Sequence, residues 1–197
     1  MLLLLLLCQF ACIYSLSIHS RSYAVLFDCG STGTRVHVFS WPGAGGSQVG
    51  GLPDVTAEPG GYKKVMPGIS SFEADPEAAG ASLAQLLDLA EQVVPKTEHA
   101  HTRVLLRATA GMRLLARRRA QRIYTSLFEA EVARNTFRAQ REDFGTLSGE
   151  DEGVFGWLSA NYLLKRSGHI SDLGSVGALD LGGGSTQITL ATTAHAS

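Results

Sequence analysis

Two stretches of this chain join an aspartate to a glycine-rich turn. They are Asp28-Cys29-Gly30-Ser31-Thr32-Gly33-Thr34 near the start and Asp180-Leu181-Gly182-Gly183-Gly184-Ser185-Thr186 near the end. Glycine tolerates positive φ and carries no Cβ, so successive backbone N–H groups in such a turn can converge on one anion. Two turns set face to face would grip a polyphosphate from both sides. Their aspartates, Asp28 and Asp180, would hold a metal ion between them. The residue types point to the handling of phosphate chains of the kind a nucleotide carries.

Such turns need strands to aim them. The apolar runs Tyr23–Phe27 and Val176–Leu179 lead into the two aspartates, and strand-like runs leave both turns. The pattern predicts one strand–turn–strand unit used twice, an internal duplication. After the first turn, Arg35–Trp41 is expected to pair back on the first strand. Residues 42–61, rich in Gly and Pro, read as a surface loop. Asp75-Pro76 marks a helix start, with Asp as the cap and Pro in the first turn. Leu83, Leu86, Leu87, Ala90 and Val94 then recur at helical spacing until Pro95 ends the run.

Val104–Ala108 reads as a short strand, Ala116–Arg134 as a basic helix and Thr136–Phe144 as another strand. Arg117, Arg118, Arg119 and Arg122 read as that helix's solvated face, with Ile123, Leu127 and Phe128 on its buried side. Ser148–Lys165 is a loop entering a helix whose apolar face carries Val154, Phe155, Leu158, Tyr162 and Leu163. Ser167–Gly177 is polar and glycine-containing and reads as a hinge.

Of the 197 residues, 45% are hydrophobic and 18% charged, which suits a globular chain with a sizeable core. A formal net charge of −1 supplies no basic excess for nucleic acid, or for an anionic membrane as the main partner. Met1–Ile18 has the apolar character of a secretory leader, with Ser15-Leu16-Ser17 as a small-x-small cleavage site. An uncleaved signal anchor is the alternative. Either places the domain in the secretory pathway, lumenal or extracellular. Cys8 and Cys12 lie in that leader, so Cys29 is left alone and reads as a small packing residue. The six histidines form no ligand cluster and no Walker-type lysine loop occurs, so zinc and serine-hydrolase chemistry are set aside.

Four segments together resemble one family. Asp28–Arg35 is similar to its first apyrase region and Ala108-Thr109-Ala110-Gly111-Met112-Arg113 to its second. Ser148–Trp157, continuing to Asn161-Tyr162-Leu163, is similar to the third. Asp180–Ile188 is similar to the fourth. The order and spacing are those of the nucleoside triphosphate diphosphohydrolases, the apyrases related to CD39. The resemblance covers about residues 22–193.

That resemblance implies an α/β fold made of two RNase H-like halves of the actin–Hsp70 superfamily, with the active site in the cleft between them. The expected division is 1–20 as signal peptide or anchor, 21–167 as the first RNase H-like domain, and 168–197 as hinge and first hairpin of a truncated second domain. It implies Glu152 as the catalytic base, with Glu150 and Asp151 merely solvated, and Ser185 and Gln187 as the pair that orients the attacking water. Asp28 and Asp180 would hold hydrated Mg²⁺ or Ca²⁺. Gly30, Ser31, Thr32, Gly33 and Thr34, with Gly182, Gly183 and Gly184, would donate to phosphates, and Thr109 would add a hydroxyl. Arg35 and Arg113 either neutralise phosphate or make structural pairs. Trp157 and Tyr162 are expected in the core.

The implied substrate is a nucleoside di- or triphosphate. Two other readings stand beside it. One is an exopolyphosphatase/guanosine pentaphosphatase, from which Gln187 and the Glu152–Trp157 segment depart. The other is a nucleotide-binding product without turnover, because the fifth apyrase region and most of the second domain are absent from the sequence. The first turn resembles the soluble or Golgi-type members, which favour nucleoside diphosphates; the third segment resembles the cell-surface members.

Overall fold

The computed structural model describes residues 20–43, 46–171 and 174–192. The expected leader Met1–Ile18, with Cys8 and Cys12, lies outside them. Strands β1 (Arg21–Cys29) and β2 (Thr34–Pro42) pair antiparallel around the first glycine turn, as the sequence predicts. A mixed five-stranded sheet forms in the order β5–β2–β1–β6–β7, with β5 Thr56–Val65, β6 Arg103–Ala108 and β7 Phe144–Thr146. β6 and β7 run parallel to β1.

β1 lies at the centre and is buried on both faces, which is why Tyr23–Phe27 reads as a continuous apolar run. Val25, Phe27 and Cys29 face one layer and Ala24 and Leu26 the other. On the first face pack α1 (Pro76–Ser82), α2 (Ala84–Val93) and α4 (Arg117–Arg134), through Leu86, Leu87, Ile123 and Leu127. On the second, α5 (Gly149–Arg166) packs Tyr162, Phe155 and Leu158 against Leu26 and Leu105. Asp75 caps α1 by accepting from the Ala78 N–H at 3.3 Å, the cap its sequence predicts. Cys29 is buried in the core, as expected of a packing residue.

Four expectations are corrected. Part of the predicted loop 42–61 is strand: β3 (Gln48–Val49) and β4 (Leu52–Pro53) form a small ribbon, and β5 runs through Pro59 and Gly60. An edge strand tolerates Pro, and Gly60, at φ +74°, absorbs the register shift between His37 and Phe39. The predicted strand 136–144 shrinks to Phe144–Thr146 after a 3₁₀ turn at Arg141–Asp143. Arg103 accounts for this by holding Asp143 through two hydrogen bonds of 2.7 and 2.6 Å, which fold the segment inward. Val154 and Leu163 are exposed, because Phe155, Leu158 and Tyr162 already cover the sheet. Tyr162 is core, whereas Trp157 is only half-buried.

Glu131 on α4 is 1% exposed, and among the described residues no hydrogen bond of good geometry reaches either carboxyl oxygen, the Phe137 amide being the nearest donor. Burial pushes its pKa from 4.5 up to about 7; the Phe137 amide and Arg134 oppose the rise and Glu91 adds to it. Arg134 is itself engaged by Glu91 and Asp88. The folded chain therefore keeps a proton that the unfolded chain loses above pH 4.5. The protonated carboxyl's advantage is complete below that value and disappears as pH rises through about 7. Glu131→Gln is expected to leave stability unchanged at pH 4 and to raise it at pH 8 by about 3 kcal/mol. Urea unfolding at the two pH values checks this.

Candidate active site

The second turn is built as the first is. β8 (Ala178–Leu181) and β9 (Thr186–Thr189) pair antiparallel around residues 182–185. In the first turn the Gly30 N–H donates to Gly33 O at 3.0 Å; in the second the Gly182 N–H donates to Ser185 O at 2.9 Å. These are equivalent positions, two and five residues after each aspartate. The registers agree too, since Asp28 faces Arg35 as Asp180 faces Gln187. The duplication read in the sequence thus extends to hydrogen bond and register.

The two turns meet across a cleft of about 500 Å³. Asp28, Gly30, Ser31, Thr32, Thr109, Glu152, Asp180, Gly182, Gly183, Gly184 and Ser185 all line it, eleven of the predicted site residues in one place. The glycines serve close approach rather than positive φ, which none of those in the two turns adopts. A Cβ on Gly183 would lie 2.9 Å from Ser31 Oγ, and one on Gly184 3.0 Å from the Ala110 Cβ. Gly33 and Thr34 sit behind the turn instead of lining the cleft. A Gly33 Cβ would strike Val65 O at 2.7 Å, and Thr34 is 0% exposed within the sheet.

Glu152 projects from the first turn of α5. That helix starts because Ser148 caps it, accepting from the Asp151 N–H at 3.0 Å. Glu150 and Asp151 are exposed, as expected, while Glu152 is 7% exposed. Three donors converge on Glu152 Oε2: Arg113 Nη1 at 2.8 Å, Ser185 Oγ at 3.4 Å and Gln187 Nε2 at 3.4 Å. Gln187 reaches it because β9 lies close on α5, where a Cβ on Gly153 would come within 2.7 Å of Thr189 Oγ1. The Gln187 Oε1 is enclosed and has no hydrogen-bond partner among the described residues.

Arg113, which the sequence left open between phosphate and structural pairing, links both halves of the site. Nη1 also donates to Leu147 O at 2.9 Å, and Nη2 donates to Ser185 Oγ at 2.9 Å. It lies at the end of α3 (Ala110–Arg113), four residues after Thr109, whose own N–H donates to Cys29 O at 3.2 Å. That i to i+4 spacing puts Thr109 and Arg113 on one side of the turn, a signal that was present in the sequence.

Asp28 accepts from Arg35 Nη1 at 3.2 Å. Burial raises its pKa, Arg35 opposes the rise, and Asp180 across the cleft adds to it. Two carboxylates close enough to influence each other suit a hydrated divalent ion. Among the described residues no cluster of three or more His, Cys, Asp or Glu gathers, so the aspartate pair would leave most of an ion's ligands to water and phosphate. The sequence reading missed His37 and Tyr62, which also line the cleft. Burial lowers the His37 pKa to about 4, so it presents a neutral ring at 5.0 Å from Tyr62. Alternation along β2 puts His37 on the face of Arg35, but nothing in the sequence told that face from its opposite.

The fold is that of an α/β protein of the RNase H-like, actin–Hsp70 class. The chain resembles a solved nucleoside triphosphate hydrolase from Neospora caninum (TM-score 0.50, 17% identity, 86% of this chain and 35% of that one). It resembles equally a PPX-GPPA enzyme from Aquifex aeolicus (TM-score 0.51, 17% identity, 84% and 47%). By sequence it is 38% identical over 172 residues to a rice protein named probable apyrase 1, covering 87% of this chain and 34% of that protein. Residues 15–197 match the GDA1/CD39 (nucleoside phosphatase) family, and the chain belongs to it. It spans about a third of the length of the curated relatives it matches.

Proposed function

We propose that the protein containing this chain hydrolyses the terminal phosphoanhydride of nucleoside di- or triphosphates. One observation carries the reading: Glu152 stands in the cleft between two matched glycine turns, with Arg113, Ser185 and Gln187 all on one of its oxygens. Among the described residues no donor reaches Oε1, which is the atom free to take a proton. Ser185 and the unpartnered Gln187 Oε1 orient a water beside it, and the turn N–H groups with Ser31, Thr32 and Thr109 hold the phosphates. The water oxygen bonds to the terminal phosphorus as the bridging P–O bond breaks on the opposite side. The water's proton goes to Glu152, the bridging oxygen departs on the nucleotide shortened by one phosphate, and the attacked phosphoryl group is released as inorganic phosphate. Mg²⁺ or Ca²⁺ held by Asp28 and Asp180 would neutralise phosphate oxygens and steady the leaving group.

The test is phosphate release from ADP, GDP, UDP and ATP, with Mg²⁺ or Ca²⁺ and again with EDTA. Release is expected with either ion and is expected to fall to background on chelation; release unaffected by EDTA would remove the ion from the mechanism. Inorganic polyphosphate serves as the control, since turnover of it in preference to nucleotides would favour the exopolyphosphatase reading. We further propose the domain limits 21–167 and 168–197, and a secretory location. Across that limit Asn161 ties the segment before β8 back to α5, its amide exchanging hydrogen bonds of 3.0 and 2.8 Å with the Val176 backbone. Among the described residues no helix is long and apolar enough to cross a membrane.

A further inference from the structure

The start of α4 breaks the rules of helix design. Arg117, Arg118, Arg119 and Arg122 crowd its first turns, where the helix dipole disfavours cations, and no acidic residue accompanies them there. Arg118 and Arg122 are a like-charged i, i+4 pair. Ala116, at the cap position, makes no side-chain hydrogen bond. Arg119 pairs with Glu73, but among the described residues no ion pair engages Arg117, Arg118 or Arg122, and all three are exposed. Arg122 lines a groove with Asp75, Glu77 and Glu129; Arg117 and Arg118 stand clear of it. Charge placed against the helix's own preference serves something outside the helix.

The residues just before it say what. Leu115 turns inward onto the core, while Leu114 is 85% exposed, more than any other large apolar side chain of the described residues. An outward leucine does nothing for a hydrophilic polyanion such as a sulfated glycan. Beside three free guanidinium groups it suits a surface with anionic headgroups over hydrocarbon. We propose that the 114–122 corner docks on an anionic lipid surface, with Arg117, Arg118 and Arg122 on headgroup phosphates and carboxylates and Leu114 dipping below them. The net charge of −1 does not oppose this, because these cations are clustered within residues 117–122 of the chain. Leu114 directly follows Arg113, so the docked corner adjoins the cleft wall.

The test is cosedimentation of the full chain with phosphatidylcholine vesicles, with and without phosphatidylserine. Binding is expected only with phosphatidylserine present and should weaken as salt rises. Arg117→Ala, Arg118→Ala and Arg122→Ala together should weaken it about a hundredfold. Leu114→Ser should weaken it about tenfold. An apolar leader inserting by itself would bind both vesicle types alike and ignore these substitutions, and that result would overturn the proposal. So would retention on heparin without vesicle binding, which would assign the arginines to a sulfated glycan. The triple variant keeps its phosphate release in solution, since none of its residues lies in the cleft.

Discussion

Glu152→Gln is expected to lower the rate of phosphate release by about a thousandfold, the middle of the range for removing a general base. Glutamine keeps the shape and can still meet Ser185 and Gln187, but its amide cannot take the water's proton. Because the ground-state contacts to phosphate come from the two turns and Thr109, KM should move little while kcat collapses. The alternative role for Glu152 is purely structural, anchoring Arg113. In that case glutamine would behave as a mild substitution, with a change in rate of a few-fold at most. Steady-state kinetics on wild type and variant, with matching circular dichroism, separate the two. A rate within tenfold of wild type would remove Glu152 as the base while leaving family membership untouched.

Arg113→Lys carries the second large effect, an expected loss of about a hundredfold in kcat/KM. The guanidinium serves three acceptors on two units, Glu152 and Leu147 on one side and Ser185 on the other. A lysine ammonium is a point charge on a flexible stem and cannot span that fork. Its loss would free Ser185 from the position it shares with the water and leave the buried Glu152 carboxylate short of its closest donor. Arg113→Ala should be worse than Lys, because it leaves that carboxylate unpaired. If Arg113 acted only as a charge near phosphate, lysine would restore most of the rate, and that outcome would sink the bridging role. Arg113 touches both the proposed base and the serine proposed to orient the water, so the two substitutions should not add: Glu152→Gln with Arg113→Lys should cost little more than Glu152→Gln alone.

Sequence reading located the strands around both turns and eleven of the cleft residues, because strand–turn chemistry is local. An apolar run, an aspartate and glycines in series dictate a hairpin wherever they occur. The α1 cap at Asp75 was legible for the same reason. Edge strand β5 was not, since Pro59, Gly60 and Gly61 signal a loop and only pairing with β2 outweighs them. The strand expected at 136–144 failed because an ion pair to Arg103, some forty residues away in sequence, bends the chain.

What the sequence determined by itself is the set of candidate residues: Asp28 and Asp180, the two glycine turns, Thr109, Glu152, Ser185 and Gln187, each embedded in a motif that short-range physics and resemblance both recognise. Tertiary structure alone decided how they combine. It set the turns against each other through missing Cβ atoms and directed three donors to one oxygen of Glu152. It made Arg113 the bridge and put Gly33 and Thr34 behind the site. Those outcomes depend on contacts between residues far apart in the chain, and such contacts leave no periodicity or motif for a linear reading to find.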